Sequence, residues 1–166
     1  MSDALIRRMD AWLAANRPEY YATLLPGATD EQLDAFERRF EMTLQPGFRA
    51  LYGWRNGQDP MSFDSLQGNW MFASLEDVTD TKDTLDGMIG YDFEDPAWWR
   101  AGWVPFLGNG GGSHLCVDMR AEDGGQPGQL IEFWKADADR PIAYPDFAAW
   151  LRQLVDAMEG GTLELS

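Results

Sequence analysis

Three short apolar segments in the second half of the chain limit the possible folds more than any other feature. They cover residues 103–107, 113–119 and 129–134, and each has the length of a β-strand. The links 108–112 and 122–125 are rich in glycine with asparagine or acidic residues, which favour turns with positive φ. Together these features predict an antiparallel meander.

Two details refine the predicted sheet. Pro105 lies inside the first segment, and because proline has no amide proton it indicates either an edge strand or a bulge. Residues 70–73 form a further apolar segment ahead of the meander, where we expect an additional short strand.

Helical patterns precede the sheet. Residues 3–16 place apolar side chains on one helical face, and this helix ends before Pro18. The sequence Thr-Asp-Glu-Gln at 29–32 is a capping box that begins a second helix. Pro46 begins a third, short helix, and Asn-Gly at 56–57 is expected to turn the chain away.

Two more helices complete the predicted order. Ser74 can cap a helix that runs towards Leu85, and residues 147–158 repeat apolar side chains every three to four positions. Helices therefore come first, a meander follows and a helix closes the chain. This order predicts an α+β fold, with a central, mostly antiparallel sheet packed by N-terminal helices and a closing C-terminal helix. The 166 residues fit one domain, 1–166.

Charge is unevenly distributed along the chain. The formal net charge is −15, and residues 76–95 hold eight Asp or Glu against one cation, Lys82. Such acidity opposes binding to nucleic acid, because affinity for phosphates comes from Lys and Arg. It favours a basic partner and speeds encounter with it, although solubility alone is the simpler explanation.

Features at the start of the chain and its apolar runs bear on its compartment. The beginning Met-Ser-Asp lacks a signal-peptide pattern, and no apolar run approaches the roughly 20 residues that cross a bilayer. We therefore expect a cytoplasmic protein without membrane association. The single cysteine, Cys116, lies in an apolar run and is expected to be a buried thiol.

Residues near the first glycine-rich link are of types found in phosphate-binding loops, hydrolase triads and metal sites, but their pattern does not support any of these. The link 108–112 lacks the lysine of a phosphate-binding loop, and a strand follows it instead of a helix. Ser113, His114 and Asp118 supply the residue types of a hydrolase triad, but neighbours on a strand point to opposite faces. His114 is the only histidine, so a histidine-based metal cluster is excluded. We expect no catalytic residue, metal or cofactor.

Carboxylates near two tryptophans offer another catalytic alternative. An apolar pocket formed by Trp98 or Trp99 could raise the pKa of Asp92, Glu94 or Asp95 for general-acid work. The same residues lack the ligand spacing and central glycine of a calcium-binding EF-hand loop. A solvated acidic loop is the favoured interpretation.

This segment also has the composition of a protein interface. Tyr91, Phe93 and two tryptophans alternate with carboxylates, which combines aromatic anchors with a charged rim. Burial of these aromatic side chains in the core is the alternative. We select residues 76–95 as the candidate contact surface. The candidate partner-binding residues are Asp80, Asp83, Asp86, Asp92, Glu94, Asp95 and Trp98.

Six short sequences along the chain together resemble a known domain family. The series is LPGA at 25–28, LQPGFRALY at 44–52, RNG at 55–57, WVPFLG at 103–108, GQLI at 128–131 and FAAWL at 147–151. It resembles the SMI1/KNR4 domains of the SUKH superfamily over residues 24–158. The turn 109–113 lacks the acidic residue that is common at this place in the family, so no role is transferred to it.

The resemblance implies both a fold and a role. The fold is α+β around a mostly antiparallel sheet, and the role is non-enzymatic, with no family-wide catalytic residues to transfer. Many bacterial members resemble immunity proteins that neutralise polymorphic toxins, often nucleases, while fungal members regulate cell-wall synthesis. We therefore expect a protein-binding module, an immunity protein whose partner is a basic toxin domain. The alternatives are a regulatory scaffold for endogenous proteins and, less favoured, a hydrolase.

Overall fold

The computed structural model describes residues 2–165. The helices in this range are α1 (Ser2–Asn16), α2 (Pro18–Tyr21), α3 (Asp30–Phe40), α4 (Pro46–Trp54), α5 (Leu75–Met88) and α6 (Phe147–Glu159). The strands are β1 (Leu24–Pro26), β2 (Arg55–Gln58), β3 (Met71–Phe72), β4 (Trp103–Gly108), β5 (His114–Asp118), β6 (Gln129–Phe133) and β7 (Ile142–Tyr144).

The main sheet is an antiparallel meander. Its strand order is β3-β4-β5-β6-β7, so each strand pairs with the next one along the chain. The links between β4, β5 and β6 are the two glycine-rich turns. In the first turn, the Asn109 side chain accepts hydrogen bonds from the amides of Gly111 (2.8 Å) and Ser113 (3.1 Å). The predicted α+β class and the predicted meander are confirmed.

The helix starts follow from their local sequences. Thr29 Oγ1 accepts from the Gln32 amide at 3.1 Å, and Gln32 Oε1 accepts from the Thr29 amide at 2.9 Å. This is the predicted capping box, which satisfies two amides that the helix leaves unpaired. Pro46 lies in the first turn of α4, where its missing amide proton costs nothing.

Asn56 and Gly57 differ from the prediction, because they do not simply turn the chain away. They lie in β2, which pairs with β1 in a separate two-stranded antiparallel sheet. Gly57 has φ +73°, and a Cβ there would lie within 2.6 Å of the backbone of Ala73 and Ser74. The Asn56 side chain accepts from the Leu75 amide at 2.7 Å. The pair therefore joins the small sheet to the start of α5.

Two features of the main sheet were only partly predicted. Pro105 does not lie on an edge, because β4 runs between β3 and β5. The bulge interpretation is correct, since the β4–β5 register shifts between Pro105 and Leu107. β7 is an addition to the predicted sheet, directly before the last helix. Pro141 and Pro145 flank β7, which keeps this edge strand to three residues.

The main core lies on one face of the sheet, beneath α1, α4 and α6. Phe106 of β4 meets α6, with its ring centroid 5.1 Å from that of Trp150 and 5.8 Å from that of Phe147. Phe48 of α4 joins the same group at 5.9 Å from Phe106. All four side chains are buried, and burial of such large aromatic groups is a principal stabilising term of the fold.

A smaller cluster lies on the opposite face. We call it the tryptophan cluster, and it consists of Trp99, Trp103, Cys116, Ile131 and Phe133. Along β5, Leu115 and Val117 enter the main core while Cys116 enters the tryptophan cluster, as strand alternation requires. Burial raises the pKa of the Cys116 thiol, which keeps it protonated and inert. Between Ser2 and Leu165, no helix combines the length and apolar character that crossing a membrane would require.

Candidate protein-binding surface

Helix α5 carries the first part of the predicted contact surface. Ser74 caps it, since its Oγ accepts from the Asp77 amide at 3.1 Å. Glu76 and Asp77 follow in the first turn, where carboxylates interact favourably with the positive end of the helix dipole. Local sequence therefore both begins this helix and places negative charge at its start.

The inner side of α5 is held by a buried ion pair. Lys82 has 0% of its side chain exposed, and its Nζ lies 3.0 Å from Oδ2 of Asp86, which is 25% exposed. Lys82 also donates to the carbonyl of Ala101, and Trp99 Nε1 donates to Asp86 Oδ1 at 2.8 Å. Burial lowers the pKa of Lys82, while the Asp86 carboxylate acts against this shift. Asp86 therefore ties α5 to the segment before β4.

Asp83 has a partner from another helix. Arg39 of α3 forms a two-point ion pair with its carboxylate, and Arg39 Nε lies 3.3 Å from Asp83 Oδ1. Both side chains are more than a third exposed, so such a pair contributes little to stability. Its consequence is that the charge of Asp83 is already matched inside the chain.

The remaining predicted carboxylates are more open. Asp80, Asp92 and Glu94 are exposed, and none of them forms an ion pair within residues 2–165. Asp95 is also exposed, but its Oδ1 accepts from the Ala97 amide at 2.8 Å and shapes the loop. Three of the predicted acidic residues are therefore unpaired charges at the surface.

Trp98 is half-buried against an arginine. The Arg140 guanidinium carbon lies 4.7 Å from the Trp98 ring centroid and 4.4 Å from that of Phe133. Arg140 Nε also donates to the Trp98 carbonyl at 3.0 Å. This stack fixes the acidic loop against β6, because an arginine between two rings gains cation–π attraction at both.

A groove runs between α5 and the sheet, beside the tryptophan cluster. We call it the α5 groove, and its volume is about 470 Å³. Its lining residues are Asp80, Thr81, Thr84, Leu85 and Met88 of α5, Phe93 and Trp98 of the loop, and Gly112, His114, Phe133 and Lys135 of the sheet side. Apolar side chains dominate its walls, and two charged residues, Asp80 and Lys135, border it.

A second, smaller cavity adjoins the α5 groove. Its volume is about 290 Å³, and it shares Asp80, Thr81 and His114 with the groove. Asp59 and Asp77 also line it, which brings three carboxylates to one cavity that has no Lys or Arg in its lining. We call it the acidic cavity. Much of the remaining lining of the acidic cavity is apolar, so the two cavities together place an apolar groove next to a cavity that carries three carboxylates.

A third cavity lies on the main-core face of the sheet, away from the α5 groove and the acidic cavity. About 510 Å³ lies between the C-terminal segment and residues 67–70, where the Gly68 amide donates to the Glu164 carbonyl at 2.7 Å. Gln67, Glu132 and Gln153 contribute to a lining in which polar and apolar groups are nearly balanced. None of the predicted partner-binding residues lies there.

Ser113, His114 and Asp118, the three residues of the hydrolase alternative, each contact different partners. Ser113 Oγ accepts from the Lys135 amide at 3.0 Å, while Asp118 accepts from the Ala121 amide at 2.9 Å and from Gln129 Nε2 at 3.0 Å. His114 lies beside Phe133, and burial lowers its pKa to about 4. The sheet does not bring these side chains together as a triad. Within residues 2–165, no three His, Cys, Asp or Glu side chains are grouped to hold a metal ion.

The structural roles of several residues were not predicted. Lys82 and Asp86 are four positions apart on a helix, a spacing that does indicate a pair. No comparable local signal links Arg39 to Asp83, or Arg140 to Trp98, because each pair is separated by more than 40 residues. The sheet side of the α5 groove was likewise not predicted.

Comparison with known proteins agrees with this architecture. The sequence profile of the SMI1/KNR4 family (SUKH-1) matches residues 27–153. The chain is also 25% identical over 181 aligned positions to the cell wall biosynthesis/cell cycle regulator smi1 of Schizosaccharomyces pombe, with 93% of this chain covered. The alignment spans 36% of that protein, so the chain corresponds to about a third of its length. Because the profile covers most of the chain, the protein belongs to the SMI1/KNR4 family (SUKH-1).

Proposed function

We propose that this chain is a protein-binding module, an immunity protein that neutralises a basic toxin domain such as a nuclease. The observation that carries the proposal is the set of unpaired carboxylates Asp80, Asp92 and Glu94 on α5 and the loop that follows it. A catalytic toxin that acts on nucleic acid needs a basic surface. A complementary acidic surface would attract that toxin and orient it before contact.

The framework beneath this surface supports the same proposal. Asp86 and Asp83 are matched inside the chain by Lys82 and Arg39, and the pair formed by the buried Lys82 holds α5 in place. The Arg140 stack holds Trp98 and the loop. Binding therefore needs little ordering of the surface, and a preorganised surface loses less entropy on association. We propose Asp80, Asp92, Glu94 and Trp98 as direct contacts.

The test is complex formation with the toxin encoded by the neighbouring gene. Wild-type protein should co-purify with it and inhibit its activity, with an affinity in the micromolar range or tighter. Reversing two surface charges in the variant Asp92→Lys/Glu94→Lys should slow association by about tenfold at low ionic strength. The difference should shrink as salt is added, because exposed charges are then screened.

A matched control separates local from overall charge. The variant Asp3→Lys/Glu19→Lys changes the net charge by the same amount, at exposed sites on α1 and α2. It should alter the association rate by less than threefold. Failure of the wild-type protein to bind or inhibit the toxin would refute the immunity proposal, and equal effects of the two variants would refute the role of the loop.

A second candidate function is a regulatory scaffold for endogenous proteins. One observation favours it, namely the similarity to the cell wall biosynthesis/cell cycle regulator of Schizosaccharomyces pombe. This candidate predicts that tagged protein, purified from its own cells, retains a defined endogenous partner through the same acidic surface. In that case, Asp92→Lys/Glu94→Lys should release the partner, whereas the α1–α2 control should not.

A further inference from the structure

We propose that the α5 groove and the acidic cavity form one docking site for a partner segment in which apolar side chains lie next to Lys or Arg. This inference rests on the proposed function and goes further, because it names the chemistry that the partner must present. The apolar side chains would enter the α5 groove, and the cation would enter the acidic cavity.

The apolar half of the site follows from the groove walls. Leu85 and Met88 of α5 face Phe133 of the sheet, and Phe93 and Trp98 complete the lining. Leu85, Phe93 and Trp98 are only partly buried although they pack against the tryptophan cluster. Aromatic and methionine side chains that remain partly open in a cavity are typical of the centre of a protein interface.

The cationic half follows from the unmatched carboxylates. Asp59, Asp77 and Asp80 line the acidic cavity, and none of them forms an ion pair within the described chain, residues 2–165. Lys135 is the cation that lines the α5 groove, and it does not line the acidic cavity. A Lys or Arg of the partner placed there would interact with up to three carboxylates at once.

Charge also indicates which kind of partner can occupy the docking site. A second copy of this chain would bring a further net charge of −15 to an already acidic site, so self-association is disfavoured. Asp80, Thr84 and Lys135 of the groove lining are exposed, so the groove is open to solvent along part of its length. Small-ligand sites bury most of the ligand surface. A basic protein segment meets both requirements.

The loop 59–65 extends the site. It presents Met61 and Phe63, each 78% exposed, beside the acidic cavity. Two hydrogen bonds fix the backbone of this loop. Gln58 Nε2 donates to the Asp64 carbonyl at 2.7 Å, and Arg17 Nη2 donates to the Ser65 carbonyl at 2.8 Å. These apolar side chains are therefore displayed on an ordered loop and can cover the partner segment.

Synthetic hexapeptides test this docking site without the toxin. The probe is Arg-Arg-Leu-Leu-Arg-Arg, and the controls are Arg-Arg-Ala-Ala-Arg-Arg and Glu-Glu-Leu-Leu-Glu-Glu. Titration into ¹⁵N-labelled wild-type protein should shift the amides of Thr84, Met88 and Gly112. The probe should bind at least tenfold more tightly than either control. Absence of these shifts at millimolar probe, or equal affinity for the alanine peptide, would overturn the inference.

Two variants and a matched control locate the binding. Thr84→Trp fills the groove from an exposed helix position, and Asp77→Asn/Asp80→Asn removes two carboxylates of the acidic cavity. Each should weaken probe binding at least tenfold. Asp3→Asn/Glu19→Gln removes the same charge outside both cavities, at exposed sites on α1 and α2, and should change the affinity less than threefold. Equal losses in both charge variants would mean non-specific attraction and would overturn the site.

The outcomes also separate this inference from the proposed function. If the toxin still binds the Thr84→Trp variant with wild-type affinity, the docking site is wrong while the immunity proposal stands. If the probe binds in the groove but wild-type protein does not bind the toxin, the docking chemistry stands and the toxin is the wrong partner.

Discussion

The two faces of the main sheet are built on different principles. On the main-core face, Trp150 is buried among other aromatic rings, and its Nε1 donates to Gln67 Oε1 at 2.9 Å. On the opposite face, the tryptophan cluster depends on charged groups, namely the Lys82–Asp86 pair and the Arg140 stack. The first face is covered mainly by helices and has a cavity of mixed lining beside α6, whereas the second stays partly open as the apolar α5 groove.

This contrast indicates a division of labour. The main core supplies most of the buried apolar area and hence most of the stability of the fold. The tryptophan cluster is smaller, and its polar clamps hold α5 and the loop at fixed positions without sealing the face. A surface that is ordered but incompletely covered suits recognition, and the following predictions test the contrast.

The largest effect is expected in the main core. Trp150→Ala should lower the free energy of unfolding by about 3–5 kcal/mol, because it leaves a large cavity between α6 and the sheet. Trp98→Ala, in the half-buried stack on the other face, should cost only about 1 kcal/mol, the size of a cation–π contact. Urea denaturation measures both, and equal losses would contradict the division of labour.

The next largest effect concerns the Lys82–Asp86 ion pair. Asp86→Ala should cost about 3 kcal/mol, because it leaves the Lys82 ammonium buried without a counter-charge. Lys82→Met should cost about 1 kcal/mol or less, since an apolar side chain of similar length replaces the buried charge. Thermal or urea unfolding of the two variants compares them. If Lys82→Met were as unstable as Asp86→Ala, the lost stability would come from the missing ion pair itself and not from a buried, unpaired charge.

A pH effect of about 2 kcal/mol is expected from His114. Burial lowers its pKa to about 4, below the unfolded value near 6.5, so the unfolded chain takes up a proton first. The contribution of His114 is therefore fully present above pH 6.5 and is lost as pH falls towards 4. Wild-type protein should lose stability relative to His114→Gln over this window. Parallel pH profiles of the two proteins would refute this environment for His114.

The smallest effect is expected at the exposed acidic loop. Asp92→Asn/Glu94→Asn should change the free energy of unfolding by less than about 0.5 kcal/mol, because neither carboxylate has an ion-pair partner within residues 2–165. The same variant should nevertheless slow association with the proposed toxin partner. A large loss of stability would mean that the loop carries part of the fold and would weaken its assignment to recognition.

Local signals explain what the sequence could predict. The meander, the Thr29 capping box, the Ser74 cap and the last helix all depend on residues within a few positions of each other. β1, β2 and β7 were missed because each has only three or four residues, and the pairing of β1 with β2 also joins distant parts of the chain. Long-range pairing of such short segments leaves no periodic pattern to detect.

The candidate site shows the same limit. The acidic segment and its aromatic residues could be selected from composition alone. Which carboxylates remain unpaired could not, because that depends on Arg39, 44 residues from Asp83. The α5 groove has one wall from Thr84 and Leu85 and another from His114 and Phe133, so only the folded chain assembles it.

Amide hydrogen exchange of the protein with and without the proposed toxin partner tests the central claim most directly. The account predicts slower exchange in residues 59–65 and 76–98 of the complex, with unchanged exchange in α1 and α6. Slower exchange confined to α1 and α6, with none on the α5 side, would contradict the assignment of recognition to the partly open face.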